Sequence, residues 1–380
     1  MKKLLLFLVT CILLSSASLA TPVVYEKPDI DIFVDGSKIA VTDVPIIVNS
    51  RTLIPLRNLL VALGVPDNDE NIQWIPDKRQ VKVFYNDVVI QLEIDSDTAY
   101  INNKATKLDS AATIHNSRTY LPAKFVGEAL GYSVFWDPYN PAVLVTKKEN
   151  YEFNSEVLNT MKTSMENATD YQAEFAAETL ITVSNSNFEE SKKKVINEKV
   201  DFGSKLMEVS TLYNSGETTG TLEYYSDYAK YYNRDYANGF PSSSWQVSSY
   251  NPKTSDKTPY EAKEKLMGFQ IDESLYGMME CLSSEETYCL YSISNNEALL
   301  KCFADAGLYF ETVDGNGTMK DMRIVMYIEK DFLLPTKIKI ETTREITGSE
   351  KYGVENVVTE NSVFYLTVSY NQGVMVNLPQ

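Results

Sequence analysis

The side chains able to do chemistry are few in this chain, and their spacing serves little of it. His115 is the one histidine among 380 residues. A lone imidazole excludes centres built from two or three histidines and leaves a nucleophilic triad one candidate base with no marked partner. Cys11, Cys281, Cys289 and Cys302 include no Cys-x-x-Cys pair, which argues against a zinc ribbon or a dithiol redox centre. Asp67, Asp69 and Glu70 are close enough to suggest a calcium loop, but they lack its turn glycine and regular ligand spacing, so they read as a solvated acidic loop. A glycosidase-type hydrolase needs two facing carboxylates, and 52 Asp and Glu offer many pairs while singling out none. No glycine-rich phosphate loop occurs. Against 35 Lys and Arg, the acids leave a net charge of −17, the wrong sign for a nucleic-acid binder. The expectation is a protein with no catalytic residue, metal or cofactor, which works by binding.

The elements that would carry a binding surface follow a targeting segment. Lys2 and Lys3 precede an apolar run, Leu4 to Leu14, and Ser18-Leu19-Ala20 puts small residues where a cut after Ala20 requires them. This is the pattern of a secretory signal peptide over residues 1–20. The run is short for a bilayer span and no later stretch is long enough, so no transmembrane segment is expected after cleavage. Cleavage leaves three cysteines, an odd number. Cys281 and Cys289 can bridge, or all three stay thiols.

An internal repeat organises the next segment. Asn49-Ser50-Arg51-Thr52 recurs as Asn116-Ser117-Arg118-Thr119, Pro55 meets Pro122, and Ala62-Leu63-Gly64 meets Ala129-Leu130-Gly131, giving eight identities in sixteen positions. Upstream, Phe33-Val34-Asp35-Gly36 aligns with Tyr100-Ile101-Asn102-Asn103, each a strand entering a two-residue hairpin turn. Downstream, Trp74-Ile75-Pro76 matches Trp136-Asp137-Pro138, and Val81 and Val83 match Val143 and Val145. In each copy the proline opens a short helix and a glycine caps it. Leu56, Leu59, Leu60 and Leu63 form one apolar face of the first helix, over which the Trp and the Val-x-Val strand should close. Two units of hairpin, helix and strand predict a small α+β domain with internal symmetry.

The doubled motif, NSRTLIPLRNLLVALG and NSRTYLPAKFVGEALG, each followed by a Trp and a strand, resembles the copper amine oxidase N-terminal domain, also called the stalk domain, over residues 29–148. The resemblance implies an accessory module of secreted or cell-surface proteins, chiefly of Gram-positive bacteria, that is not itself the oxidase. It supplies no catalytic residue to carry over.

Residues 151–380 read as a second domain. A helix over Glu156–Asn167 precedes long strands at Tyr171–Val183, Lys194–Tyr213 and Thr221–Tyr232. A polar linker follows at Pro252–Pro259, then helices near Tyr260–Glu280 and Asn296–Ala306. Strands close the chain at Leu308–Val313, Met322–Tyr327, Thr336–Thr343 and Ser362–Tyr370, with a short last one over Gln372–Pro379. This order, with the Leu334-Pro335 turn and the terminal Val-x-Leu-Pro, resembles the LolA/LppX-like half-barrel, a curved antiparallel sheet with covering helices. That resemblance implies an apolar ligand held against the concave face.

Four repeat residues have two readings each. Arg51 and Arg118 either recognise an anionic polymer or bind backbone carbonyls and fix the turn; Trp74 and Trp136 either stack on sugars or pack in a core. Recurrence at equivalent positions favours the structural readings. His115 aligns with Val48 and is read as structural. In the second domain, Tyr224, Tyr228 and Tyr232, with Met267, Met278, Met279 and Phe303 at exposed helix edges, are expected to line an apolar pocket. The aromatic run can equally be cross-strand packing. The reading is a secreted or cell-surface, non-catalytic binding protein whose partner is an envelope component or an apolar small molecule. The alternatives are a wall-polymer hydrolase with carboxylates in the second domain and a purely structural envelope protein. Intact mass of the exported protein should match a chain beginning at Thr21; an acylated Cys11 or a full-length cytoplasmic chain would overturn the leader assignment.

Overall fold

The Asn-Ser pairs set the first part of the fold. A two-residue turn that matches the twist of its flanking strands needs positive φ at both positions. Asn49 and Ser50 adopt 50° and 60°, and Asn116 and Ser117 adopt 46° and 62°. The computed structural model describes residues 24–137, 141–202, 206–214, 218–226, 230–237, 240–249, 269–293 and 297–376. The expected leader, the Pro252–Pro259 linker and the start of the Tyr260–Glu280 segment lie outside these residues.

The first strands are β1 (Val24–Glu26), β2 (Asp31–Val34), β3 (Ser37–Lys38), β4 (Ile46–Val48), β5 (Arg51–Pro55), β6 (Ile72–Ile75) and β7 (Gln80–Tyr85). Then come β8 (Val88–Glu93), β9 (Thr98–Ile101), β10 (Lys104–Lys107), β11 (Thr113–His115), β12 (Arg118–Pro122), β13 (Tyr132–Trp136) and β14 (Ala142–Lys147). Helices α1 (Leu56–Ala62) and α2 (Ala123–Ala129) follow Pro55 and Pro122, which end their strands rather than starting the helices. Leu56, Leu59 and Leu60 are buried on α1, and Gly64 and Gly131 take φ of 92° and 85° beyond the helix ends.

The chain forms two compact units. One runs to Ile30 and takes Val41–Ala129; the other takes Asp31–Ala40 and everything from Leu130. In the first unit, a sheet of order β1-β4-β5-β12-β11 pairs Ile54 with Leu121, Leu53 with Pro122 and Pro55 with Tyr120. Ile54 and Leu121 are repeat equivalents, so the two copies meet about a local two-fold axis at that pair. A second sheet runs β10-β9-β8-β7-β6. In the other unit, β2 and β3 join β13 and β14 in the order β13-β14-β2-β3, with β14 parallel to β2. The first copy's hairpin thus pairs with the second copy's strands.

The second unit also holds the long sheet. Its strands are β15 (Asp170–Val183), β16 (Glu189–Asp201), β17 (Leu206–Asn214), β18 (Thr218–Ser226), β19 (Lys230–Ala237), β20 (Phe240–Pro241) and β21 (Gln246–Ser249). They continue as β22 (Met279–Ser283), β23 (Thr287–Ser292), β24 (Asn316–Glu329), β25 (Leu334–Thr347) and β26 (Val357–Tyr370). All pair antiparallel in the order β20-β19-β18-β17-β16-β15-β26-β25-β24-β23-β22, with β21 beside β19. The architecture is α+β, as expected, but Lys194–Tyr213 and Thr221–Tyr232 each prove to span portions of two strands. Leu308–Val313 forms no strand.

Alternation sorts the side chains of the long strands. On β15 and β26 every second residue is buried, beneath α3 (Lys148–Glu166) and α4 (Glu297–Asp305). Val157, Leu158, Met161 and Met165 of α3 and Leu299, Leu300 and Phe303 of α4 share one core with Phe175, Ile324, Ile340, Phe364 and Leu366. The helix expected through Glu280 is instead a 3-10 turn at Glu273–Met278 that runs into β22. Asn154, buried on α3, donates to the carbonyls of Tyr276 (2.7 Å) and Met279 (2.8 Å). A Cβ on Gly277 would lie 2.2 Å from Thr146 of β14. These contacts hold the segment in a tight turn against β14 and α3.

At the other end of the covered face the interior turns polar. Arg344 lies opposite Glu360 in register, and their side chains are 6% and 2% exposed at an Nη1–Oε2 distance of 2.9 Å. Glu360 also accepts from the backbone N–H (3.0 Å) and the hydroxyl of Thr312, and Arg344 reaches Glu311 at 3.0 Å. Gly317 makes room for the guanidinium, since a Cβ there would lie 2.0 Å from Nη2. Arg344→Leu should cost about 3–5 kcal/mol, because it leaves Glu360 buried and uncompensated. Denaturant unfolding measures this; a loss under about 1 kcal/mol, the value of a surface pair, would contradict it.

Candidate functional site

The repeat residues occupy equivalent but partly unexpected places. Arg118 Nε lies 3.1 Å from Asp43 and Arg51 Nε 3.9 Å from Asp109, each arginine reaching the other copy. The expected carbonyl contacts reduce to one long approach, Arg51 to the Ser50 oxygen at 3.4 Å. The turns owe their shape to the Asn-Ser backbone, and the exposed guanidiniums tie the copies together.

Trp74 and Trp136 correct the core-packing expectation, being 45% and 48% exposed. Both lie at the rim. Trp74 pairs across the ladder with Val81, Trp136 with Val143, and the valines are buried. Alternation puts each indole on the valine side, yet β6 and β13 are edge strands with no further strand to cover them. The valines close the core, and the larger rings overhang it.

His115 has a structural partner. Its Nε2 lies 2.8 Å from Glu26, which also accepts from Asn116 at 3.0 Å. Glu26 and His115 belong to β1 and β11, opposite edges of one sheet, so the pair clasps those edges together. The His115 hydrogen bond, aided by its charge and by Asn116, holds the Glu26 carboxyl below its ordinary range against a smaller desolvation penalty.

In the second unit the expected pocket is not assembled as imagined. Met278, Met279 and Phe303, placed at exposed helix edges from sequence, are at most 1% exposed and belong to the packed core. Phe303 meets Phe269 at 4.8 Å. Tyr232 is half-buried on β19, opposite Tyr224 of β18. Tyr228 and Met267 lie outside the described residues. Cys281 stands opposite Leu290 and Cys289 opposite Leu282, so alternation sends the two thiols to opposite faces of the hairpin, and no disulfide forms. Burial pushes the Cys281 thiol up to about 11, which suits a packed side chain better than a nucleophile.

A cleft that sequence reasoning missed opens at one end of the long sheet. The β25–β26 ladder stops at Lys337 opposite Thr367, while β26 continues with β15 as far as Tyr370 opposite Tyr171. Across β24 and β25, Tyr327 faces Lys337 and Ile328 faces Pro335, so Thr336 is an extra, bulged residue. Pro335 has no N–H to offer a ladder. Bulge and proline together separate the strands. The resulting cleft, about 230 Å³, is lined by Glu329, Phe332, Leu334, Thr336, Val368, Ser369, Tyr370, Asn371 and Gln372. Its β26 wall is anchored: Asn371 accepts from the Thr169 N–H (2.9 Å) and hydroxyl (3.1 Å), and Asp170 accepts from the N–H of Gln372 (2.9 Å). The Tyr370 hydroxyl is buried without a hydrogen-bond partner among the described residues, and burial raises its pKa well above the ordinary phenol value. The only sequence signal for this site was Leu334-Pro335.

Comparison with known proteins agrees with the stalk-domain resemblance. Residues 33–145 match the copper amine oxidase N-terminal domain family. No curated protein matches the chain. Among solved structures, a domain described as an outer membrane lipoprotein-sorting protein from Vibrio parahaemolyticus aligns at 12% identity, covering 59% of this chain and 95% of that one, with a TM-score of 0.18. A DUF1329 family protein from Desulfovibrio piger aligns at 12% identity, covering 60% and 94%, with a TM-score of 0.16. Among the described residues no helix is long and apolar enough to cross a membrane.

The clasp has a pH signature. Because the folded pKa of Glu26 is depressed, its stabilising share is present above the ordinary value of 4.5 and is lost as pH falls through the folded value. Melting temperature should fall more steeply on acidification in the wild type than in Glu26→Gln. Parallel pH profiles for the two proteins would show that the clasp contributes nothing.

Proposed function

We propose that this chain is a non-catalytic accessory protein of the bacterial cell envelope, in which the stalk-type segment binds envelope glycan and the long-sheet domain engages a further ligand or partner. The leader pattern at residues 1–20 supports delivery to that compartment. The observation that carries the binding role is the pair of repeat-equivalent tryptophans, each half exposed on an edge strand opposite a buried valine. An indole supported in this way offers its free area to the apolar face of a sugar ring, while its N–H can meet a hydroxyl.

Charge narrows the polymer class. The chain is strongly acidic, and Arg51 and Arg118 already face carboxylates. An uncharged glycan strand therefore suits the surface better than a polyanion. The hydrolase alternative gains no support from the cleft, whose lining carries one carboxylate, Glu329, where a glycosidase needs two. The apolar-ligand reading loses Met278, Met279 and Phe303 as pocket walls, since they fill the core.

Co-sedimentation of the mature protein with insoluble peptidoglycan tests this. The wild type should pellet with the polymer. The double variant Trp74→Ala, Trp136→Ala should stay largely in solution with little change in melting temperature. Equal pelleting, or a collapse in stability, would return the indoles to a structural role.

A further inference from the structure

We propose that the cleft between β25 and β26 is a binding site for a small organic ammonium, an amine carried on an apolar body. The site is independent of the tryptophan platforms, and its ligand class follows from four features of its lining. At about 230 Å³ it falls below the roughly 300–1,000 Å³ of pockets that take drug-sized molecules, so the ligand is small. Leu334 and Val368 are buried, and Phe332, 63% exposed, is available to a ligand or its cation. Glu329 is the one carboxylate in the lining, and no lysine or arginine is among the lining residues. The neighbouring Lys330 is engaged elsewhere, over the Tyr288 ring at 4.7 Å and with Ser283 at 2.7 Å. Finally, the buried Tyr370 hydroxyl lacks a partner among the described residues. With its pKa raised by burial, the phenol adds no negative charge to the lining, which leaves Glu329 as its charged group.

The backbone supports a built site rather than a loose strand end. The bulge at Thr336 and the missing N–H of Pro335 hold β25 off β26 at the point where β15 still pairs with β26. Leu333 takes a left-handed φ of 50° in the turn that brings Phe332 and Leu334 to the cleft. A non-glycine residue held there is uncommon and is found where surrounding structure imposes it.

The test is calorimetric titration of the mature full chain with benzylammonium, and with benzyl alcohol as its uncharged isostere. Benzylammonium should bind saturably and benzyl alcohol much more weakly. Glu329→Gln should weaken benzylammonium by about tenfold or more, as expected for losing a charged partner, without lowering the melting temperature. Tyr370→Phe should leave stability unchanged or raised, since it removes an uncompensated buried hydroxyl. Trp74→Ala with Trp136→Ala should leave this titration unaltered, so glycan binding and the cleft can fail separately. No saturable binding, equal affinity for the alcohol, or indifference to Glu329→Gln would overturn the proposal. A destabilised Tyr370→Phe would show that the hydroxyl serves the fold, removing it from the site.

Discussion

Three fourteen-residue strands, β15, β25 and β26, lie side by side and send every second side chain to one face. A face that long, rich in Phe, Ile, Leu and Val, cannot stay in water. The rest of the second unit answers that constraint. Helix α3, the 3-10 turn and α4 cover one stretch with apolar side chains. The irregular segment through Thr312 covers the next, where the strands carry Arg344 and Glu360 instead. Each cover has its own way of satisfying the polar groups it buries, Asn154 under the helices and the Thr312–Glu360–Arg344 network beyond them.

Covering the face also decides where a ligand can be held. Among the described residues, Met278, Met279 and Phe303 belong to the packed core under the helices, with aromatic contacts such as Phe175–Phe364 and Tyr309–Phe364 in its middle. Room appears instead where pairing fails, at the sheet end opened by Pro335 and the Thr336 bulge. The cost of the open ladder is confined to a few backbone groups, and the wall opposite is secured by Asp170 and Asn371. A sheet that is continuous elsewhere can carry such a gap because β26 remains paired with β15 past it.

The first unit depends on a different device. Two copies of one sequence meet at Ile54 and Leu121, and the same residues recur about that axis as turn, arginine and helix. Symmetry explains the crossed ion pairs: each arginine leaves its own turn toward an acid of the other copy. It does not extend to everything. Glu26 of β1 clasps His115, whose repeat equivalent is Val48, so the closure of the sheet edges belongs to one side only.

The turns of the repeat segment, its short glycine-capped helices and the α+β class were legible from the chain, because each depends on local chemistry: residues that accept positive φ in a two-residue turn, an apolar face at helical spacing and a glycine after it. The tertiary structure decided what local pattern leaves open. Trp74 and Trp136 have the sequence of core residues, and their exposure comes from standing on edge strands, which is a property of strand order. Met278 and Met279 have the sequence of an amphipathic helix, but Asn154 and the close approach of Gly277 to Thr146 fold them into the core. The cleft needed β15, distant in the sequence, to hold β26 past Lys337, where the ladder between the neighbouring strands β25 and β26 stops. Turns and periods are set by neighbours a few residues away; exposure and cavities are set by which strand ends at an edge and where a ladder stops, and those depend on partners that the sequence does not place side by side.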